Sequence, residues 1–107
     1  MAKIPSEHIE PIIKLGSKQS VSFTLSSTTA GGITYYYGII DVTPTPISGY
    51  TPIGVASYAL LHFPNEIVGI NRVSATSYRV WIFNPSSASI SDSFSIQFIY
   101  AKNDYLG

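Results

Sequence analysis

The sequence predicts an all-β domain, a small antiparallel β-sandwich or jelly-roll of about six to eight strands. Three observations lead there. Apolar residues alternate with serine and threonine over short runs, which is the period of a half-buried strand. β-Branched and aromatic residues, which suit a pleated surface, crowd the same runs. Glycine- and proline-rich stretches punctuate them at short intervals.

Residues 1–18 read as an N-terminal lead-in, a neck or a short helix, and residues 19–107 as the β-sandwich domain. A helix is conceivable only over 5–15, where Ser6 can cap it, but Pro11 interrupts it after one turn. The first strand is 20–26, with Val21, Phe23 and Leu25 separated by Ser and Thr. Ala30-Gly31-Gly32 turns the chain into the second run, 33–43. The segment 43–49 is too proline-rich for a central strand, because proline cannot donate to the ladder; it reads as an extended connection crossing from one sheet to the other. Strands follow at 54–61, 66–74 and 77–83. The turn His62-Phe63-Pro64-Asn65 separates the first two of these, and Asn84-Pro85-Ser86-Ser87 suits a type I turn after the third. Phe94, Ile96, Phe98 and Tyr100 alternate with Ser93, Ser95 and Gln97 in the last strand.

Two runs are apolar on both faces. In 34–42, Tyr35, Tyr37 and Ile39 point one way and Tyr36, Ile40 and Val42 the other. In 78–83, Tyr78, Val80 and Ile82 form the natural core face, opposed by Arg79, Trp81 and Phe83. A strand with two apolar faces is covered twice. In a small sandwich the second cover comes from a loop, a ligand or another subunit.

Only 11% of the residues are charged and the net charge is zero, against about 25% charged in an ordinary soluble domain. Such a chain has no electrostatic footprint for nucleic acid, and a net charge near zero favours self-association. It holds no cysteine, which excludes disulfides and thiolate metal sites. No apolar run approaches the roughly 18 residues of a spanning helix, so no membrane insertion is expected, and the first residues lack the apolar region of a signal peptide.

Catalysis needs a nucleophile with its base, a carboxylate pair or a metal. His8 and His62 lie on unrelated segments, neither with a partner at metal-ligand spacing, and the ordinary reading of each is a solvated or packed histidine. Among the acidic residues, Asp41 reads as facing the proline-rich loop and Asp92 as a gatekeeper or turn residue; nothing pairs them as a glycosidase requires. Serines are frequent, but no Gly-x-Ser-x-Gly elbow occurs, and Gly31-Gly32 lacks the lysine and helix start of a phosphate loop. The expectation is a protein that is not an enzyme and has no metal and no cofactor.

The aromatic residues carry more. Eight tyrosines and one tryptophan offer rigid contact area with a polar handle. Sugars present apolar C–H faces and hydroxyl rims, so aromatic platforms flanked by Ser, Asn and Asp suit them. Tyr35, Tyr36, Tyr37 and Trp81 are the candidate saccharide-binding residues, and Tyr36, Trp81 and Phe83 the candidate subunit interface. Cross-strand packing is the competing reading for Tyr36 and for Tyr58.

At "SGYTPIGVASY", residues 48–58, and "YRVWIFNPSSASISDSFSIQFIY", residues 78–100, the chain resembles the C-terminal β-sandwich head or tip domains of phage and prophage tail-fibre and minor tail proteins, especially those of Gram-positive hosts. Those domains show a Gly-Tyr-Thr-Pro-Ile/Val-Gly-Val segment entering a strand, here residues 49–55. A strand ending in Asn-Pro-Ser follows, here 84–87, and then a last strand with a terminal Tyr, here 94–100. The resemblance covers about residues 20–102 and carries no catalytic signature. It implies a trimeric, host-recognising module of a virion appendage that is assembled in the host cytoplasm and acts outside the cell. Its implied partners are a host cell-surface glycan and other virion tail proteins. No binding residue transfers by motif, and residues 1–18 lack the heptads of a fibre shaft.

Two rival readings stand beside this one: a carbohydrate-binding module of a secreted bacterial protein, and a tail or capsid decoration protein that binds only virion proteins. In the first reading, the second apolar face of 34–42 and 78–83 is buried between subunits of a homotrimer; the three-fold choice rests on the resemblance.

Overall fold

The computed structural model describes residues 11–105. They form two antiparallel sheets packed face to face, a small β-sandwich. The strands are β1 (Ile13–Leu15), β2 (Gln19–Thr24), β3 (Ser26–Ala30), β4 (Ile33–Val42), β5 (Tyr50–Leu60), β6 (Glu66–Ser74), β7 (Ser77–Asn84) and β8 (Ser91–Lys102), followed by a 3-10 turn at Asn103–Tyr105. In one sheet β8 is central, with β5 along one edge and β1 and β2 in succession along the other. The second sheet has the order β3-β4-β7-β6.

The N-terminal reading needs correction. Ile13–Leu15 is a strand, not the end of a helix, and it pairs with Ile99, Tyr100 and Ala101 of β8. Pro11 cannot continue a helix, and the chain beyond it takes the open edge of β8, with bonds from Lys102 N to Ile12 O (2.8 Å) and from Gly16 N to Phe98 O (3.0 Å). The sandwich therefore begins before residue 19. The rest of the helix reading falls on residues outside those described.

The run 20–26 also divides. β2 leaves the first sheet at Leu25 and the chain continues as β3 in the second. Leu25 is 4% exposed, and its N–H donates to Ile90 O at 2.9 Å. Gly38 gives Leu25 room at the switch: a Cβ there would lie 2.7 Å from Leu25 Cδ2. Gly31 (φ 59°) and Gly32 (φ 77°) then close a two-residue hairpin between β3 and β4 in the left-handed region that glycine takes without strain.

The proline-rich segment crosses between the sheets, from β4 to β5, and three side-chain bonds hold it. Gln19 clasps it from both sides, donating to Thr43 O (3.1 Å) and accepting from Thr45 N (2.9 Å). The Tyr100 hydroxyl donates to Thr45 O (2.7 Å). The core lies between β7 and β8. Tyr78, Val80 and Ile82 meet Phe94, Ile96, Phe98 and Tyr100, with Phe23, Leu25 and Val42 completing the cluster.

Candidate functional site: the outer face of the β3-β4-β7-β6 sheet

Antiparallel register sets directly opposed residues on the same face of a sheet. β4 and β7 pair Tyr37 with Phe83, Ile39 with Trp81 and Asp41 with Arg79. β3 adds Ser26 beside Tyr37 and Thr28 beside Tyr35. β6 adds Glu66 beside Phe83, Gly69 beside Trp81 and Asn71 beside Arg79. Because Val80 and Ile82 are inside, all of these face away from the core. The result is an aromatic patch with hydroxyl, amide and charged groups around it.

The rings support one another. Tyr35 lies 5.6 Å from Phe83 and 6.4 Å from Tyr37, centroid to centroid, both tilted, which is a favourable arrangement of aromatic quadrupoles. Trp81 leans over Gly69, where a Cβ would stand 3.4 Å from its Cε3. Tyr37 is 40% and Ile39 54% exposed, while Tyr35, Trp81 and Phe83 are half-buried. At one end Arg79 grips Asp41 through two bonds, Nε to Oδ1 (2.8 Å) and Nη2 to Oδ2 (3.3 Å). The Arg79 hydrogen bond holds the Asp41 carboxyl below its ordinary range, against an opposing effect of desolvation, with the guanidinium charge adding to the bond. Asp41 thus faces the aromatic patch and not the proline-rich loop.

Of the residues singled out in the sequence, the fold brings Tyr35, Tyr37, Trp81 and Phe83 together. It does not bring Tyr36. That side chain lies on the other face of β4, opposite Asn84 and Ser27 in register, and packs half-buried against the core. Consecutive strand residues alternate faces, so Tyr36 cannot share a platform with its two neighbours. Tyr58, in β5, is 53% exposed and belongs to the other sheet.

A second polar cluster sits at the end of the sandwich where β5 turns into β6 and β7 connects to β8. His62 Nδ1 lies 2.9 Å from Asp92 Oδ1, and Asn65 Nδ2 donates to Asp92 Oδ2 (3.3 Å) and to Ser89 O (2.7 Å). Asn84 donates through Nδ2 to Asn65 Oδ1 (2.9 Å) and to Ala88 O (2.7 Å), while its Oδ1 accepts from Ser86 N (2.8 Å). Asn84 is 0% and Asn65 6% exposed, so the cluster satisfies buried amides and locks two connections together. The Asp92 side chain is 5% exposed. Burial pushes its carboxyl up, but bonds from His62, the Ser93 backbone and Asn65, with the imidazole charge, outweigh this and leave it lowered. Asp92 therefore anchors the end of the sandwich and is more than a turn residue. Asn84 had a local signal, since Asn-Pro-Ser favours a side-chain cap on the Ser86 amide. His62 and Asp92 had none, being brought together from different strand ends. His8 lies outside the described residues.

No group of three side chains suited to hold a metal ion occurs among the described residues. No helix of the described residues is long and apolar enough to cross a membrane. Comparison with family models, curated proteins and solved structures finds no match to this chain.

Proposed function

We propose that this chain is a non-catalytic recognition module of a virion tail appendage, binding a host cell-surface saccharide on the outer face of the β3-β4-β7-β6 sheet. The observation that carries this reading is the cluster of Tyr35, Tyr37, Trp81 and Phe83, left partly exposed on the outer face of a sandwich whose core is complete without it. Aromatic faces stack on the C–H face of a sugar ring, and Thr28, Asn71, Glu66 and the Asp41–Arg79 pair supply hydroxyl partners around them. The virion setting rests on the resemblance at residues 49–55, 84–87 and 94–100.

A glycan array with the intact protein tests the reading. Binding is expected, and Trp81→Ala should weaken it at least about 30-fold, since stacked aromatics at binding sites cost about 2 kcal/mol or more when truncated. The circular dichroism spectrum should stay native. An array without a binder, or a Trp81→Ala protein with undiminished affinity, overturns the reading.

One observation favours a second reading, in which the same face is buried between copies of a homotrimer. Ile33 and Ile39, on the face of Tyr35 and Tyr37, are 68% and 54% exposed, and the chain carries few charges to offset them. Light scattering at micromolar concentration distinguishes the two. A monomer eliminates the subunit reading, whereas a trimer that Phe83→Asp dissociates supports it.

A further inference from the structure

On the open side of the sandwich, β5 pairs only with β8 and β6 only with β7. Their free edges flank a groove of about 490 Å3, within the size range of small-molecule sites. We propose that this groove binds an amphiphile with a compact anionic head and an unbranched apolar tail. Arg72 and Tyr78 hold the head, and Ile53, Val55, Ile67 and Ile70 line the tail. The groove is separate from the aromatic outer face and the proposal stands independently of the saccharide reading.

Three observations converge on this ligand. First, the Tyr78 hydroxyl is buried with no hydrogen-bond partner among the described residues, although Tyr78 is 2% exposed and lines the groove. A buried donor without an acceptor is costly, and an acceptor that reaches it removes that cost. Burial raises the phenol pKa and the Arg72 charge partly opposes this, so the hydroxyl is a protonated donor within electrostatic reach of the guanidinium. Second, Arg72 is the single charged residue of the lining. It has no carboxylate partner among the described residues; its bond runs from Nη2 to the carbonyl of Pro52 at 3.3 Å, which leaves most of its donors for an anion. Third, apart from Gly54 and Gly69, every other side chain of the lining is aliphatic or aromatic.

The strand edges argue against a peptide as the occupant. β5 is irregular between Pro52 and Gly54 and between Val55 and Ser57. β6 is irregular between Ile67 and Gly69 and between Arg72 and Ser74. Bulges break the even spacing that an added strand needs, and Pro52 has no N–H to offer. A flexible alkyl chain makes no such demand.

The test uses dodecanoate below its micelle concentration, with dodecanol and dodecyltrimethylammonium as probes of the same tail, and follows the isoleucine methyl resonances of the whole chain. Shifts are expected at Ile53, Ile67 and Ile70, not at Ile33 or Ile39 on the aromatic face, and dodecanoate should bind the most tightly of the three. Arg72→Gln and Tyr78→Phe should each weaken dodecanoate about tenfold, with dodecanol unaffected by Arg72→Gln. Tyr78→Phe removes an unpaired hydroxyl and should melt no lower than the parent, so a loss of affinity there reports the missing donor and not unfolding. Unmoved groove methyls, equal affinity for the three head groups, or parental dodecanoate affinity in both variants each overturn the proposal.

Discussion

The two faces of β7 carry similar side chains and meet opposite fates. Tyr78, Val80, Ile82 and Asn84 are 2%, 0%, 1% and 0% exposed. Arg79, Trp81 and Phe83, which alternate with them, are only half-buried. The inner face is closed by a second layer: Phe98 of β8 stands 4.9 Å from Tyr78, centroid to centroid, and Ile96 and Phe94 continue the contact. The outer face has only its own sheet. Phe83 leans on Tyr35, Trp81 on Gly69 and Arg79 on Asp41. Apolar character alone therefore does not decide burial; the reach of a second layer does. An apolar face that no layer reaches is the place to look for a partner.

The sharpest way to break this contrast is to truncate one ring on each side of the sandwich. Phe98→Ala should cost about 3–5 kcal/mol in urea unfolding, from lost burial and the cavity left behind. Phe83→Ala should cost far less. Equal losses would make the outer face a second core and remove the reason to assign it a partner.

A smaller effect is expected from the two lowered carboxyls, which differ as the two faces do. Asp92 is enclosed and bonded to His62 and Asn65, and Asp92→Ala should cost about 1 kcal/mol at neutral pH by removing an acceptor of the buried Asn65 amide and of the exposed His62 ring. Both carboxyls titrate below their ordinary value of 3.8 in the folded protein. Their contribution is thus complete above that value and is lost as the pH falls through the lower folded one. Urea titrations from pH 7 to pH 2 should show Asp92→Ala flattening the acid decline. A parallel decline in parent and variant would mean that other groups drive acid unfolding.

Trp81→Ala should change stability by about 1 kcal/mol, a modest loss beside the weakening of saccharide binding of at least about 30-fold that the proposed function expects. Asp41→Asn is expected to be the mildest. Its pair with Arg79 is solvent-exposed, and such pairs contribute little, so the melting temperature at pH 7 should be indistinguishable from the parent's. A clear drop would show that the pair is enclosed, as it would be inside an oligomer.

Much of the fold was legible because its signals are local. The run 66–74 is β6 as read, and 77–83 is β7 but for Asn84. Gly31-Gly32 is a hairpin turn and 43–49 is the crossing between sheets. The candidate site was partly legible. Alternation separates Tyr35 and Tyr37 from Tyr36 but does not say which of the three candidates joins Trp81, and only the first two share its face. Asp41 was an unused clue, since its place in the alternation puts a charge on the face of Tyr35, Tyr37 and Ile39 and marks that face as the outer one.

By itself the sequence determined the strand class, the boundaries of β4, β6, β7 and β8 within a few residues and the division of those runs into two faces. Those properties follow from a period of two that needs no knowledge of the rest of the chain. Only the tertiary structure decided that Ile13–Leu15 joins the edge of β8, that the chain changes sheets at Leu25 and that His62 meets Asp92. It also decided that β5 and β6 face one another across a groove above the buried Tyr78 hydroxyl, which has no hydrogen-bond partner among the described residues. Each of these joins residues far apart along the chain. Such contacts form because the packing of two sheets leaves one place for them, and that geometry belongs to the assembled sandwich and to none of its segments alone.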